Sequence, residues 1–94
     1  MTPNEILIRP VVTEKSTLLQ ERGKYVFQVS KLATKRQIAS SVEEVFDVAV
    51  VKVRTLRVRG KTKRYGRSVS RRPDWKKAII TLRAGDAIQL FEGA

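Results

Sequence analysis

The chain has 94 residues, with 20 Lys and Arg against 9 Asp and Glu and no His, a formal net charge of +11 at pH 7. A single core in a chain this short buries about 60–65% of the extended surface, which excludes two separate cores or a deep substrate cavity. The absence of cysteine and histidine excludes disulfide frameworks, thiolate zinc sites, thiol nucleophiles and imidazole bases, and with them most hydrolytic and metal-dependent chemistry. No apolar run approaches the roughly 18 residues that span a bilayer, and Glu5 and Arg9 interrupt the stretch around Ile6, Leu7 and Ile8, so the amino end does not read as a secretory signal. The charge is also unevenly placed. Thirteen of the bases and one acid, Asp74, fall between Lys52 and Arg83, a net +12, whereas the rest of the chain sums to −1. Solubility alone is served by interspersed charges of both signs, so one third of the chain nearly devoid of acids points to a docking surface for a polyanion.

In chain order, Thr2-Pro3-Asn4-Glu5 combines a capping residue, a proline at the first helical position and a following Glu, predicting a short helix over Ile6 to Arg9 that Pro10 stops. Pro10-Val11-Val12 is extended. Thr13 caps a second helix through Leu18 and Leu19 to Arg22, and Gly23 terminates it in the left-handed conformation. Tyr25-Val26-Phe27-Gln28-Val29 alternates, which places Tyr25, Phe27 and Val29 on the core face of a strand. Thr34-Lys35-Arg36-Gln37 forms a capping box, and Ile38, Val42, Val45 and Phe46 follow at helical spacing, predicting a helix from Thr34 to about Asp47 with Glu43 and Glu44 on its solvent face.

From Ala49 to Arg59 the residues favour a strand, but Val51 and Val53 are in one phase and Leu56 and Val58 in the other. A bulge or a change of partner near Thr55 is therefore expected. Gly60 to Pro73 lacks apolar periodicity and reads as a long basic loop. Trp75 to Arg83 resumes strand character with apolar residues on both faces, Ala78, Ile80 and Leu82 on one and Ile79 on the other, as an interior strand requires. Asp86 to Ala94 reads as a weak short helix or tail. A helical crossover makes its flanking strands parallel, and the last strand can insert antiparallel between them. The expected fold is α/β (α+β): a split, mainly antiparallel three- to four-stranded sheet packed with helices, in a single domain over 1–94 carrying an extended basic hairpin loop at 60–74.

That loop is the strongest chemical signal, because long irregular segments inside small domains are uncommon and usually functional. Guanidinium groups make bidentate phosphate contacts and stack on bases, Lys supplies point charges, and Gly60 and Gly66 let the backbone bend close to a nucleic acid. Neutralising six phosphates of a single strand corresponds to a log–log salt slope of about −4. Tyr65 suits either stacking on an unpaired base or simple exposure, and Trp75, opening a strand, suits packing at the base of the loop better than base contact. Gly60 and Gly66 do not make a phosphate-cradling Walker loop, and the adjacent Glu43 and Glu44 diverge by about 100° on a helix, so no enzyme site emerges.

Pro10-Val11-Val12-Thr13-Glu14-Lys15-Ser16, Ala33-Thr34-Lys35-Arg36-Gln37-Ile38, Gly60-Lys61-Thr62-Lys63-Arg64-Tyr65-Gly66 and Arg71-Arg72-Pro73-Asp74-Trp75-Lys76-Lys77-Ala78 together resemble the bacterial ribosomal large-subunit proteins numbered twenty-three, over nearly all of Ile8 to Leu82. The resemblance implies a non-enzymatic component without cofactor or metal. It would bind large-subunit ribosomal RNA near the nascent-chain tunnel exit, with a long hairpin loop reaching into RNA, and would offer a docking surface to trigger factor and the signal recognition particle. It places the trigger-factor contact on Glu14, which a helix dipole would favour in any case. Family members outside bacteria often have a basic amino-terminal extension and a shorter loop; this chain has the reverse, implying a bacterial or organellar ribosome in the cytoplasm or organelle.

The candidate RNA-binding residues are Lys15, Lys35, Arg36, Arg57, Arg59, Lys61, Lys63, Arg64, Tyr65, Arg67, Arg71, Arg72, Trp75, Lys76 and Lys77, with Glu14 for the protein partner. Neighbouring ribosomal proteins are expected partners, whereas membrane insertion and homo-oligomers are not. A DNA-binding module would need a basic helix for the major groove, and a lipid-binding loop would need apolar anchors, of which Val69 and Trp75 alone qualify.

Overall fold

The computed structural model describes residues 2–60, 62–66, 68–71 and 73–88, with residues 63–65 and 68–71 by their backbone alone. The elements run α1 (Pro3–Ile6), β1 (Leu7–Pro10), α2 (Glu14–Glu21), β2 (Lys24–Val29), α3 (Lys35–Phe46), β3 (Val50–Val58), β4 (Thr62–Tyr65), β5 (Ser68–Arg71) and β6 (Trp75–Leu82). Four strands form one sheet in the order β1-β2-β6-β3, and every neighbouring pair is antiparallel. Strands β2 and β3, joined through α3, run parallel to each other on either side of β6, as the helical crossover requires.

Local chemistry accounts for the two longer helices. In α3 the Gln37 N–H donates to Thr34 Oγ1 at 3.2 Å and the Thr34 N–H donates to Gln37 Oε1 at 2.9 Å, so one side-chain pair satisfies two amides at the helix start. The helix ends at Asp47, which adopts the left-handed conformation at φ 54°. In α2 the box closes on serine: the Ser16 N–H donates to Thr13 Oγ1 at 3.2 Å, and the Thr13 N–H donates to Ser16 Oγ at 2.6 Å. Gly23 follows α2 at φ 73°, where a Cβ would be strained.

The core lies between the sheet and α1 with α3. Ile38 and Val42 of α3 meet Tyr25, Phe27, Val29, Ala78, Ile80 and Leu82 of the sheet, together with Ile6 and Ile88. Full burial of a side chain such as Ile38 or Ile80 contributes about 1.5–3 kcal/mol. Phe46 packs against Phe27 with ring centroids 5.6 Å apart, at the edge of this cluster. Helix α2 packs on β2 from the opposite face of the sheet, where Val26 is also buried.

Several expectations need correction. The first helix ends at Ile6, and Leu7–Pro10 is a strand instead; a single turn cannot propagate, whereas an extended Leu7–Pro10 gains a ladder along the free edge of β2. Pro10 is tolerated because β1 is itself an edge strand. The irregularity in β3 falls between Val50 and Lys52, not near Thr55. Val50 and Val53, three apart, both pack against the core, so the extra residue is Val51, which is 66% exposed. Val45, expected in the core, is 49% exposed. Residues 86–88 form no helix, yet Ile88 is buried in the core; the remainder of the expected tail, 89–94, lies outside the described residues.

The segment expected as an irregular loop is, where described, a second antiparallel ladder, with Thr62 opposite Arg71, Lys63 opposite Ser70, Arg64 opposite Val69 and Tyr65 opposite Ser68. Thr62, Tyr65 and Val69 are of residue types enriched in strands. Gly66 takes φ 57° between the two strands. At the base, the Gly60 N–H donates to Asp74 Oδ1 at 2.8 Å.

The other end of β3 is tied to the end of β6. The Arg83 N–H donates to the Ala49 carbonyl at 2.9 Å, the Ala49 N–H donates to Asp86 Oδ2 at 2.7 Å, and Arg83 Nη2 lies 3.4 Å from Asp86 Oδ1. The bond from Ala49, with the Arg83 cation secondary, lowers the Asp86 pKa below its ordinary value of 3.8. A depressed carboxylate pKa adds stability that is complete above the unfolded value and is lost as pH falls through the folded one. Asp86→Asn is therefore expected to flatten the loss of stability as pH falls through and below the ordinary carboxylate range, measured by urea denaturation; an unchanged acid limb would dismiss the clamp. A second expectation concerns the hairpin, whose strands pair with each other and not with the four-stranded sheet. Because closure entropy varies slowly with length, replacing residues 61–72 with Asn-Gly should preserve a single cooperative thermal transition by circular dichroism, and its collapse would mean that the hairpin packs on the body.

Candidate nucleic-acid interface

Strand register brings part of the candidate set together at one end of the sheet. Where β3 and β6 enter the hairpin, Leu56 faces Lys77, Arg57 faces Lys76 and Val58 faces Trp75. Arg59 follows directly and is exposed. Arg57 and Lys76 are like charges directly across an antiparallel pair, an arrangement that destabilises a sheet unless an anion offsets it. Lys76 is partly relieved, since its Nζ donates to the Ala33 carbonyl at 2.7 Å. That bond also joins the hairpin base to the loop that begins α3.

Lys35 and Arg36 stand exposed in the first turn of α3, which carries no acid. Positive charge is disfavoured there by the helix dipole, so local folding offers no reason for either cation. The first turn of α3 and the hairpin base thus share a basic end of the molecule. Among the described residues, Lys15, Lys35, Arg36, Arg57, Arg59 and Lys77 take part in no ion pair. Trp75 is half-buried at the foot of the hairpin, in keeping with packing there.

The ladder carries Lys63, Arg64 and Tyr65 on β4 and Arg71 on β5 by backbone position. Lys61, Arg67 and Arg72 lie outside the described residues. Lys15 and Glu14 are apart from this end, on α2, which packs on the opposite face of the sheet from α3. Glu14 is exposed at the first helical position. It borders a shallow depression formed with Val12, Thr13, Thr17 and Leu18, and Leu18, one turn along, is 61% exposed. A carboxylate beside an uncovered apolar side chain suits a protein contact better than a nucleic-acid one.

Lys24, Lys52 and Arg54 were not singled out from the sequence. Cross-strand pairing puts them on one face of the sheet, with Lys24 and Lys52 both opposite Thr81 and Arg54 opposite Ile79. Within β3, the i, i+2 spacing of Lys52 and Arg54 was a readable signal; the company of Lys24, 28 residues earlier, was not. Among the described residues no group of three His, Cys, Asp or Glu side chains could hold a metal ion, and no helix is long and apolar enough to cross a membrane.

Comparison with known proteins agrees with the resemblance in the motifs. The family model described as Ribosomal protein L23 matches residues 5–90. The chain is 53% identical to the large ribosomal subunit protein uL23 of Roseiflexus castenholzii over 94 residues, covering all of both chains. It is 50% identical to that of Symbiobacterium thermophilum over 93 residues, 99% of each, and 50% identical to that of Treponema denticola over 94 residues, all of both. With its sheet, its crossover helix and its basic segment between β3 and β6 matched along almost the whole length, the chain belongs to the L23 family, whose members are structural ribosomal proteins and not enzymes.

Proposed function

We propose that this chain is a structural component of the large ribosomal subunit that binds large-subunit ribosomal RNA through its basic end, near the exit of the nascent-chain tunnel. Neighbouring ribosomal proteins are its further partners, and the ribosome in the cytoplasm is its place of action. The relatives that it matches end to end are large-subunit proteins. The observation that carries the RNA reading is the +12 third of the chain, arranged so that Arg57 and Lys76 face each other across the sheet and lead into a ladder bearing Lys63, Arg64 and Arg71. A sheet end with this charge is stabilised by phosphates, and counterion release supplies the affinity. Tyr65 in the ladder is the candidate for stacking on an unpaired base. Lys61, Arg67 and Arg72 extend the same run by sequence, and Lys35, Arg36, Arg59 and Lys77 flank it. Lys76 has a second task, since its bond to Ala33 holds the α3 entry against β6.

The surface around Glu14 and Leu18 on α2 is proposed as part of the docking site for trigger factor and the signal recognition particle. The support is the family resemblance of the Pro10 to Ser16 motif together with an exposed carboxylate one turn from an exposed leucine. Lys15 stands beside it and can serve either surface.

Replacing Lys63, Arg64, Arg67, Arg71 and Arg72 with Gln should weaken binding to large-subunit RNA and lower the log–log salt slope by about 3–4, read by filter binding across a potassium chloride series. An unchanged slope would refute phosphate contact by the hairpin. Glu14→Ala should leave thermal stability within about 0.5 kcal/mol, as at most exposed sites, and leave incorporation into subunits intact, while reducing trigger-factor recruitment to ribosomes. Normal recruitment in a quantitative cosedimentation assay would remove Glu14 from the docking site.

A further inference from the structure

The two faces of the four-stranded sheet are used unequally. One is covered by α1 and α3. On the other, α2 shelters Val26 on β2 and leaves the β6–β3 half open. Cross-strand register maps the residues of that open half: Lys24, Thr81 and Lys52 form one row, Val26, Ile79 and Arg54 the next, and Gln28, Lys77 and Leu56 a third. None of these positions holds an acid. Leu19 of α2, Ile79, Thr81, Lys24, Lys52 and Arg54 line a groove of about 190 Å³. A groove of this size is below the range of small-molecule sites. Its charge suits a length of polyanion laid across it.

We propose that this groove is a second phosphate-binding surface for ribosomal RNA, separate from the hairpin and reading the sugar–phosphate backbone. The inference rests on the RNA-binding function argued above and adds a second contact to it. Lys52 and Arg54, two residues apart on one strand, stand about 7 Å from each other, and Lys24 lies about 10 Å across two strand spacings from Lys52. Three cations at that separation are within one Debye length at physiological salt or close to it, so they act together on a bound strand. The apolar floor and wall at Ile79 and Leu19 strengthen the field that they present. Protection of an exposed sheet edge explains charges on β3, which is an edge strand, but it does not explain Lys24 on β2 or Lys77 on β6, both interior strands. The groove is also continuous with the basic end, because β3 carries Lys52 and Arg54 and then runs on to Arg57, Arg59 and the hairpin. A folded protein partner would be met by a flat apolar area, whereas here each of the three rows brings a cation to the open half, Lys52 and Arg54 on β3 and Lys77 on β6.

The test uses the full-length chain carrying Lys24→Gln, Lys52→Gln and Arg54→Gln together, with large-subunit ribosomal RNA extracted from bacterial ribosomes as the probe. Circular dichroism melting first establishes that the variant folds as the parent does. The log–log salt slope of binding should fall by about 2–3 relative to the parent. The matched control, Arg22→Gln with Lys31→Gln, should change it little. An unchanged slope in the groove variant, with the hairpin variant still reduced, overturns this inference and leaves the hairpin reading standing. Unchanged slopes in both variants overturn the two together. An equal loss per charge in the control shows that net charge alone is responsible and overturns the groove as a site. Unchanged RNA binding combined with failure to enter reconstituted subunits assigns the surface to a protein neighbour and likewise overturns it.

Discussion

Strand β6 is hydrogen-bonded on both sides, to β2 and to β3, and the rest of the architecture follows from that placement. Its Ala78, Ile80 and Leu82 are buried beneath α3, so its register sets which residues of β2 and β3 enter the core. Because β3 and β6 are antiparallel neighbours, whatever connects them must leave and return at one end of the sheet. The basic segment is that connection. It is carried at the end of the domain by the same pairing that completes the core, and the Gly60–Asp74 bond closes its root.

This placement also answers how a small domain tolerates so uneven a charge. Self-repulsion within the +12 segment would weaken a compact core, but the core residues belong to other parts of the chain or to the inward faces of β3 and β6. Among the described residues, cations occupy the open face, the edge strand and the first turn of α3, where water and salt screen them. In the proposed function, bound phosphate relieves what screening leaves behind, the Arg57–Lys76 opposition above all. The proposed binding to RNA would thereby be linked to the stability of the fold, since a ligand that binds only the folded chain stabilises it by mass action.

The two longer helices serve different surfaces for the same topological reason. Helix α3 covers one face of the sheet and aims its basic first turn toward the hairpin base, to which Lys76 ties it. Helix α2 lies on the other face, covers only β2, and leaves Leu18 and Glu14 outward. In the proposed function, the RNA surface and the protein-docking surface are therefore on separate elements, and occupation of one does not obstruct the other.

The parts legible in the sequence were those written in short-range chemistry. The boxes Thr13–Ser16 and Thr34–Gln37 satisfy amides three residues away, and Gly23 and Asp47 end helices within one turn, so α2 and α3 could be read from windows of a dozen residues. The alternation of β2 and the two-sided apolar pattern of β6 likewise named the strands and the interior position of β6. Motif order along the chain was enough to show the family. Long-range pairing decided the rest. The edge of β2 turned Leu7–Pro10 from helix to strand, and the need for both Val50 and Val53 to reach the core moved the bulge to Val51. Val45 was left outside although its spacing suited the core. Whether a basic stretch is a loop or a ladder depends on a partner strand rather than on composition, so composition alone does not show the pairing of Thr62–Tyr65 with Ser68–Arg71. The open groove joins Lys24 to residues 28, 30 and 57 positions further along the chain, and only hydrogen bonding between strands sets such a neighbourhood, because the sequence specifies which face each residue takes but not which residue stands beside it.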